Sequence, residues 1–259
     1  PPAEVARIRQ AHPGEYVLAP QPGTCYVGFD VSQPPFDNVR VRRAFVLATD
    51  RETLADVALR GFHFPATGGF IPPGIPGHSP GIALAYDPDQ ARNLLAEAGY
   101  PGGRGFPAVE ALTIVAPVGL SEYLQPQWRE NLGIEVTWET MEYAEARDRL
   151  RREPPHIFVG GWTASYPDPD NFLRVALPLN ETGWQNEAYD RLVEQARKVT
   201  EQAERMKLYG QADRILVEEA VIVPLSYARY HLLVKPWVRK YPMSPVNVWF
   251  WKDVIIEPH

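Results

Sequence analysis

Apolar positions along this chain change period several times, and each change predicts an element. The clearest pattern lies at residues 87–99. Asp87 stands where a cap belongs, Pro88 takes the first helical position and Gln90 the capping-box position, Ala91, Leu94, Leu95 and Ala98 recur at helical spacing, and Gly99 closes the run. Val41, Ala44, Phe45 and Ala48 predict a helix over 39–48, and Asp50 caps a second helix from Arg51 to about Leu59, stopped by Gly61. Two long amphipathic helices follow from Leu192, Val193 and Ala196, and from Met206, Tyr209, Ala212, Ile215 and Leu216. Val5 to Ala11 reads as a short helix and Tyr143 to Arg152 as a charged surface helix.

Alternation at period two marks strands. Tyr16 to Ala19 and Cys25 to Val31 are two such segments, followed by Ala111 to Ala116, Ile134 to Glu139, Ile157 to Val159, Val221 to Ser226, His231 to Val234 and an extended stretch over Val246 to Ile256. Residues 119–131 are part helix, with Pro126 expected to delay its start or kink it. Residues 62–86 have punctuation but no period, which predicts an ordered, proline-braced loop. No internal repeat is visible. Strands alternating with helices define an α/β class.

Composition narrows the picture. The chain has 259 residues, 45% of them hydrophobic, enough for one large domain or two small ones. Its 27 prolines are about twice the ordinary share of roughly 5%, so its loops are stiff. A net charge of −6, with basic residues broken up by apolar and acidic ones, gives no footprint for nucleic acid. Cys25 is alone, which excludes an internal disulfide and a thiol-only metal site. No run approaches the length of a membrane span, and residues 1–4 lack the basic-then-apolar start of a signal peptide. The first residue is therefore expected to follow a processing site or to lie inside a longer chain.

The densest chemistry lies in one stretch, residues 160–173. Trp162, Thr163, Ser165, Tyr166, Asp168, Asp170 and Asn171 share a loop that Pro167 and Pro169 keep from becoming helix or strand.

The order of four motifs resembles a known family. Residues 34–45 (PPFDNVRVRRAF) with Ala48-Thr49-Asp50-Arg51, residues 86–100 (YDPDQARNLLAEAGY), Gly161-Trp162 with residues 166–173 (YPDPDNFL), and Ile222-Val223-Pro224-Leu225 are similar, in this order, to the family 5 extracellular solute-binding proteins. These are the oligopeptide, dipeptide and nickel receptors of ABC importers. The resemblance covers about residues 24–235 and corresponds to the second lobe only. It implies a periplasmic-binding-protein-like lobe, with a mixed sheet flanked by helices, over residues 31–230. Residues 1–30 and 231–259 would be crossover segments toward a first lobe absent from this sequence. It also implies a ligand held between lobes, a peptide or other small amine-bearing solute, and delivery to an ABC permease. A monomer in an extracellular or periplasmic setting, lipid-anchored, is expected.

In peptide-binding relatives the loop resembles Trp-x-Ala-Asp-Tyr, and the resemblance implies that its Asp pairs with the peptide's α-amine. Ser165 stands at that position here, and a hydroxyl carries no charge. Three readings stay open: Asp168 or Asp170 replaces the anchor, the ligand is not a free peptide, or the lobe no longer binds as the family does. Each residue also has a plainer reading, Trp162 as core filler and Asp168 and Asp170 as turn formers or caps. The Asp168-Pro169-Asp170-Asn171 run lacks the glycine and terminal glutamate of a calcium loop, so neither metal nor cofactor is expected.

The six histidines show no paired metal spacing, and no nucleophile elbow or phosphate loop is present, so no catalytic residue is assigned. A triad of Ser165, His156 and an aspartate would stand or fall on geometry. The alternative to transport is a solute-sensing or interaction module of a larger regulatory protein, which would be cytoplasmic.

Overall fold

The computed structural model describes residues 4–114, 119–176, 182–242 and 251–259. Its centre is a six-stranded sheet in the order β2-β6-β1-β5-β3-β4. The strands are β1 (Tyr16–Phe29), β2 (Phe64–Pro65), β3 (Val109–Thr113), β4 (Val136–Thr140), β5 (Ile157–Thr163) and β6 (Ile222–Leu233). β3 runs parallel to β4 and to β5, whereas β1 is antiparallel to both β5 and β6. The class is therefore mixed α/β, as the alternation of periods predicts.

Period-two alternation places side chains on both faces of the sheet. Val27, Phe29, Ile157 and Val159 point into one core, where they meet α2 (Val39–Leu47), α4 (Pro88–Glu97) and α5 (Leu120–Leu132). Tyr26 and Phe158 point the other way, into a second core with α6 (Tyr143–Arg152), α7 (Asp170–Leu173), α8 (Glu187–Lys198) and α9 (Gln202–Glu218). Phe45, Trp128, Phe172 and Tyr209 are almost wholly buried, and each such side chain contributes on the order of 1.5–3 kcal/mol. Gly28 is needed near the end of β1, because a Cβ there would sit 2.2 Å from the Phe158 ring.

Local signals explain most helix starts. Asn38 caps α2 through Arg40 N–H, and Asp87 caps α4 through Gln90 N–H at 2.9 Å. Asp50 likewise caps α3 (Arg51–Thr53), but the expected helix to Leu59 continues as a π turn over Leu54–Ala58. That wider turn buries Leu54, Ala55 and Leu59 while leaving Val57 at the surface. Pro126 neither delays nor ends α5, which starts at Leu120. Leu120, Leu124, Trp128 and Leu132 recur every four residues and are all buried, so packing carries the helix through the proline.

Two pairs of expected strands are each one strand. β1 runs through Pro20-Gln21-Pro22-Gly23 because its register against β6 shifts between Pro20 and Thr24, and a bulge tolerates residues that a ladder would not. β6 likewise joins the two segments expected at 221–226 and 231–234. Past Gly23, which pairs with Thr163, β1 and β6 leave the sheet together as a two-stranded ribbon of Tyr16–Pro20 with Arg229–Leu233. The proline-braced loop at 62–86 contains the short β2 and buries Ala66, Phe70, Ile71 and Ile75. The strand expected over Ala111 to Ala116 is seen at Val109–Thr113, its last two residues lying outside the described ones. In the expected stretch from Val246 to Ile256, residues 246–250 also lie outside them, Trp251–Asp253 form a 3-10 turn, and β8 (Ile255–Ile256) pairs with β7 (Val238–Arg239).

Candidate functional site

The carboxyl ends of β3, β4 and β5 lie at one edge of the sheet, since the three strands are parallel. In open α/β sheets this is where ligands collect. β5 is longer than the apolar run at 157–159 predicts, and Gly160 to Thr163 are its last four residues rather than loop. Pairing with β1, from Gly23↔Thr163 to Tyr26↔Gly160, draws them into the sheet. The chain then turns at Ala164, whose N–H donates to Pro22 O at 2.8 Å, and enters α7 at Asp170.

A buried amide holds this turn. Asn171 Oδ1 accepts the indole N–H of Trp162 at 3.0 Å and the backbone N–H of Ser165 at 3.4 Å. Two carboxylates brace it from below. Asp168 receives both Nη atoms of Arg205, at 2.6 and 2.7 Å, and also accepts the Asp170 N–H at 2.9 Å. Asp170 takes Arg174 at 2.8 and 2.5 Å, the Tyr166 hydroxyl at 2.9 Å and the Tyr209 hydroxyl at 3.3 Å. Burial pulls the Asp170 carboxyl upward, but Arg174 and Tyr166 outweigh it and leave it below its ordinary range. Burial first, and then the bond to Asp170, raises the Tyr166 phenol.

The seven expected site residues thus lie on one continuous segment, from the end of β5 through the turn into α7, but divide into two groups. Thr163, Ser165 and Tyr166 are exposed, and Trp162 is half-buried against the second core. Asp168, Asp170 and Asn171 are engaged beneath them, with both carboxylates ion-paired. Ser165 and His156 lie at opposite ends of β5, and seven residues at ~3.3 Å each separate them by more than about 20 Å, which removes the triad. His156 instead accepts the Glu110 N–H.

Three supporting residues were not read from the sequence. Arg174 follows Asp170 by one helical turn, a spacing that would have revealed it. Arg205 reaches Asp168 from α9 with no sequence signal. Asp213, also on α9, is fully buried, and its Oδ1 accepts Phe70 N–H at 2.8 Å. Burial drives its carboxyl up to about 7, against the lowering effect of the Phe70 and Ile71 N–H groups.

A mixed sheet covered by helices on both faces, with a braced turn at the carboxyl ends of its parallel strands, defines a lobe of the periplasmic-binding-protein type. The sequence profile of the bacterial extracellular solute-binding proteins, family 5 Middle, matches residues 1–184, and the chain belongs to that family. The probable deoxycholate-binding periplasmic protein YgiS of Escherichia coli is 31% identical over 100% of this chain and 50% of its own length. The periplasmic oligopeptide-binding protein OppA of Escherichia coli is 28% identical over 98% of this chain and 48% of its own. Among solved structures, the Escherichia coli murein tripeptide binding protein MppA has a TM-score of 0.83 at 26% identity, covering 100% of this chain and 53% of its own. The chain therefore spans about half the length of the curated relatives it matches. These relatives are binding proteins, not enzymes. Among the described residues, no helix is long and apolar enough to cross a membrane.

Proposed function

We propose that residues 31–230 form the second, ligand-facing lobe of a two-lobed receptor. It captures a peptide or other small solute in the cleft between lobes and passes it to an ABC permease at the outer face of the membrane. Residues 1–30 and 231–259, which include most of the β1–β6 ribbon, would be the crossover to the first lobe. The receptor would act as a lipid-anchored monomer, and binding energy would favour its closed form. The relatives' names, which cover oligopeptide, murein tripeptide and deoxycholate binding, support the solute class.

One observation carries the reading of the site: both carboxylates in the turn are already ion-paired, Asp168 with Arg205 and Asp170 with Arg174. An incoming ammonium group finds no free anion there. Thr163, Ser165 and Tyr166 therefore hold the ligand through uncharged hydrogen bonds, with Trp162 as a wall and Asp168, Asp170 and Asn171 setting the shape.

Calorimetry on the full-length protein with defined peptide mixtures tests this. Trp162→Ala and Ser165→Ala each weaken binding, the latter by about tenfold at most, as the loss of one neutral hydrogen bond implies. Ser165→Asp strengthens binding of peptides with a free amine over their N-acetylated forms. A protein that binds no peptide, or whose binding ignores all three substitutions, overturns the assignment.

A further inference from the structure

A cavity of about 410 Å³ lies beside the ribbon, lined also by α1 (Val5–Ala11) and by Phe62. That volume falls within the range of small-ligand pockets. Its walls are mainly apolar, with Val5, Ile8, Phe62 and Leu232 among them, and among the described residues its one charged lining residue is Arg229.

The other polar groups in the wall are largely committed. His231 Nε2 bonds Phe62 O at 2.9 Å, and since a carbonyl only accepts, Nε2 carries the ring proton. Nδ1 is then the acceptor for the Tyr16 hydroxyl. The ring also stacks on Phe62 at 4.4 Å. Burial holds the histidine below its ordinary value, so it stays neutral and bonded.

Arg229 is different. Its guanidinium lies over the Phe64 ring at 4.4 Å, and its Nε is sealed from solvent without a hydrogen-bond partner. Among the described residues no carboxylate forms an ion pair with it; Asp56 and Arg9 act on it only through space. Burial, the largest influence, lowers its pKa. A partly desolvated cation without a counterion is unfavourable, and an anion entering the cavity would relieve that cost.

We propose that this cavity binds a short amphipathic carboxylate, its head paired with the outward nitrogens of Arg229 and its tail packed on Val5, Ile8, Phe62 and Leu232. Guanidinium and carboxylate match in shape as well as charge, which favours this anion over a halide. The site uses none of the residues in the turn at 162–171.

Calorimetric titration of the full-length protein with hexanoate and with hexanol, at low salt, tests the proposal. Hexanoate saturates the site, and hexanol, with the same tail and no charge, binds at least about tenfold more weakly. Arg229→Gln loses hexanoate affinity by a similar factor, Arg229→Lys keeps part of it, and Arg239→Gln, which removes an equal charge from an exposed ion pair, leaves it unchanged. Should Arg229→Gln fail to fold, the hexanoate–hexanol comparison and Arg229→Lys decide. Absence of saturable hexanoate binding, equal binding of hexanol, or full affinity in Arg229→Gln or Arg229→Lys overturns it.

Discussion

Arg205 holds both oxygens of Asp168 from a position 37 residues further along the chain, at 2.6 and 2.7 Å. Each partner keeps about a quarter of its side chain exposed, so this is neither a surface pair worth little nor a fully desolvated one. It ties the turn to α9.

Arg205→Ala leaves Asp168 half-buried without its cation. We expect a loss of about 1–3 kcal/mol in denaturant unfolding, within the range for hydrogen bonds to charged groups. Asp168→Asn costs less, since the amide still accepts the Asp170 N–H. Because both changes remove one contact, the double variant should be less destabilised than the sum of the singles. Strict additivity would show that the pair contributes nothing.

Asn171→Ala gives a different signature. The amide is buried and serves two donors, Trp162 Nε1–H and Ser165 N–H, and truncation strands both. The expected cost is about 1–3 kcal/mol. Trp162 is half-buried, so freeing its indole should raise local solvent access, seen as faster hydrogen exchange at Nε1. Unchanged exchange would mean that the second core, not Asn171, fixes the ring.

These contacts mark where sequence reading ends. α4 could be placed to within a residue because its cap, first-turn proline, apolar stripe and closing glycine are all local. β1 could not, because Pro20, Pro22 and Gly23 are punctuation unless the bulge against β6 is known. The turn at 160–173 stood out by composition, yet the state of its carboxylates depended on Arg205, which only folding brings near. Ser165 was visible as an uncharged residue where the family resemblance implies an acid. That neither neighbouring aspartate is free to replace it became visible only with Arg174 and Arg205 in place. Asp213 was hidden because it follows Ala212 on the buried face of α9, where an apolar residue is the default.

His63 predicts a loss of stability in acid. Its Nδ1 bonds Ser226 Oγ at 2.9 Å, and burial, followed by Arg229 and His231, lowers its pKa from 6.5 to about 4. Between those values the unfolded chain takes up a proton that the native ring refuses. Stability from this group is therefore complete above about 6.5 and is lost as pH falls toward 4. His63→Gln, made in an Asp213→Asn background so that the opposing titration of that carboxyl is absent, should flatten that part of the profile measured by thermal melts. An unchanged acid limb would place the loss elsewhere.

Asp213 acts in the opposite sense, and its effect is separable. The carboxyl sits beneath Gly69, where a Cβ would come within 2.0 Å of Oδ2, and that oxygen has no hydrogen-bond partner. Its native pKa is about 7 against 3.8 for an unperturbed aspartate, so the folded protein keeps a proton that the unfolded chain has released. Stability is complete below about 4 and falls as pH rises to 7, at up to about 1.4 kcal/mol per unit, then levels off. His63 raises stability over most of that window, from about 4 to 6.5, so the net profile should be shallow up to about 6.5 and should fall beyond it. Asp213→Asn keeps an acceptor for the Phe70 N–H and removes the charge. It should abolish the decline near neutrality, leave the acid limb set by His63, and melt higher than the parent at pH 8, with the gap closing toward pH 4. A gap of constant size across pH would show that the gain comes from packing and that Asp213 is not protonated in the fold.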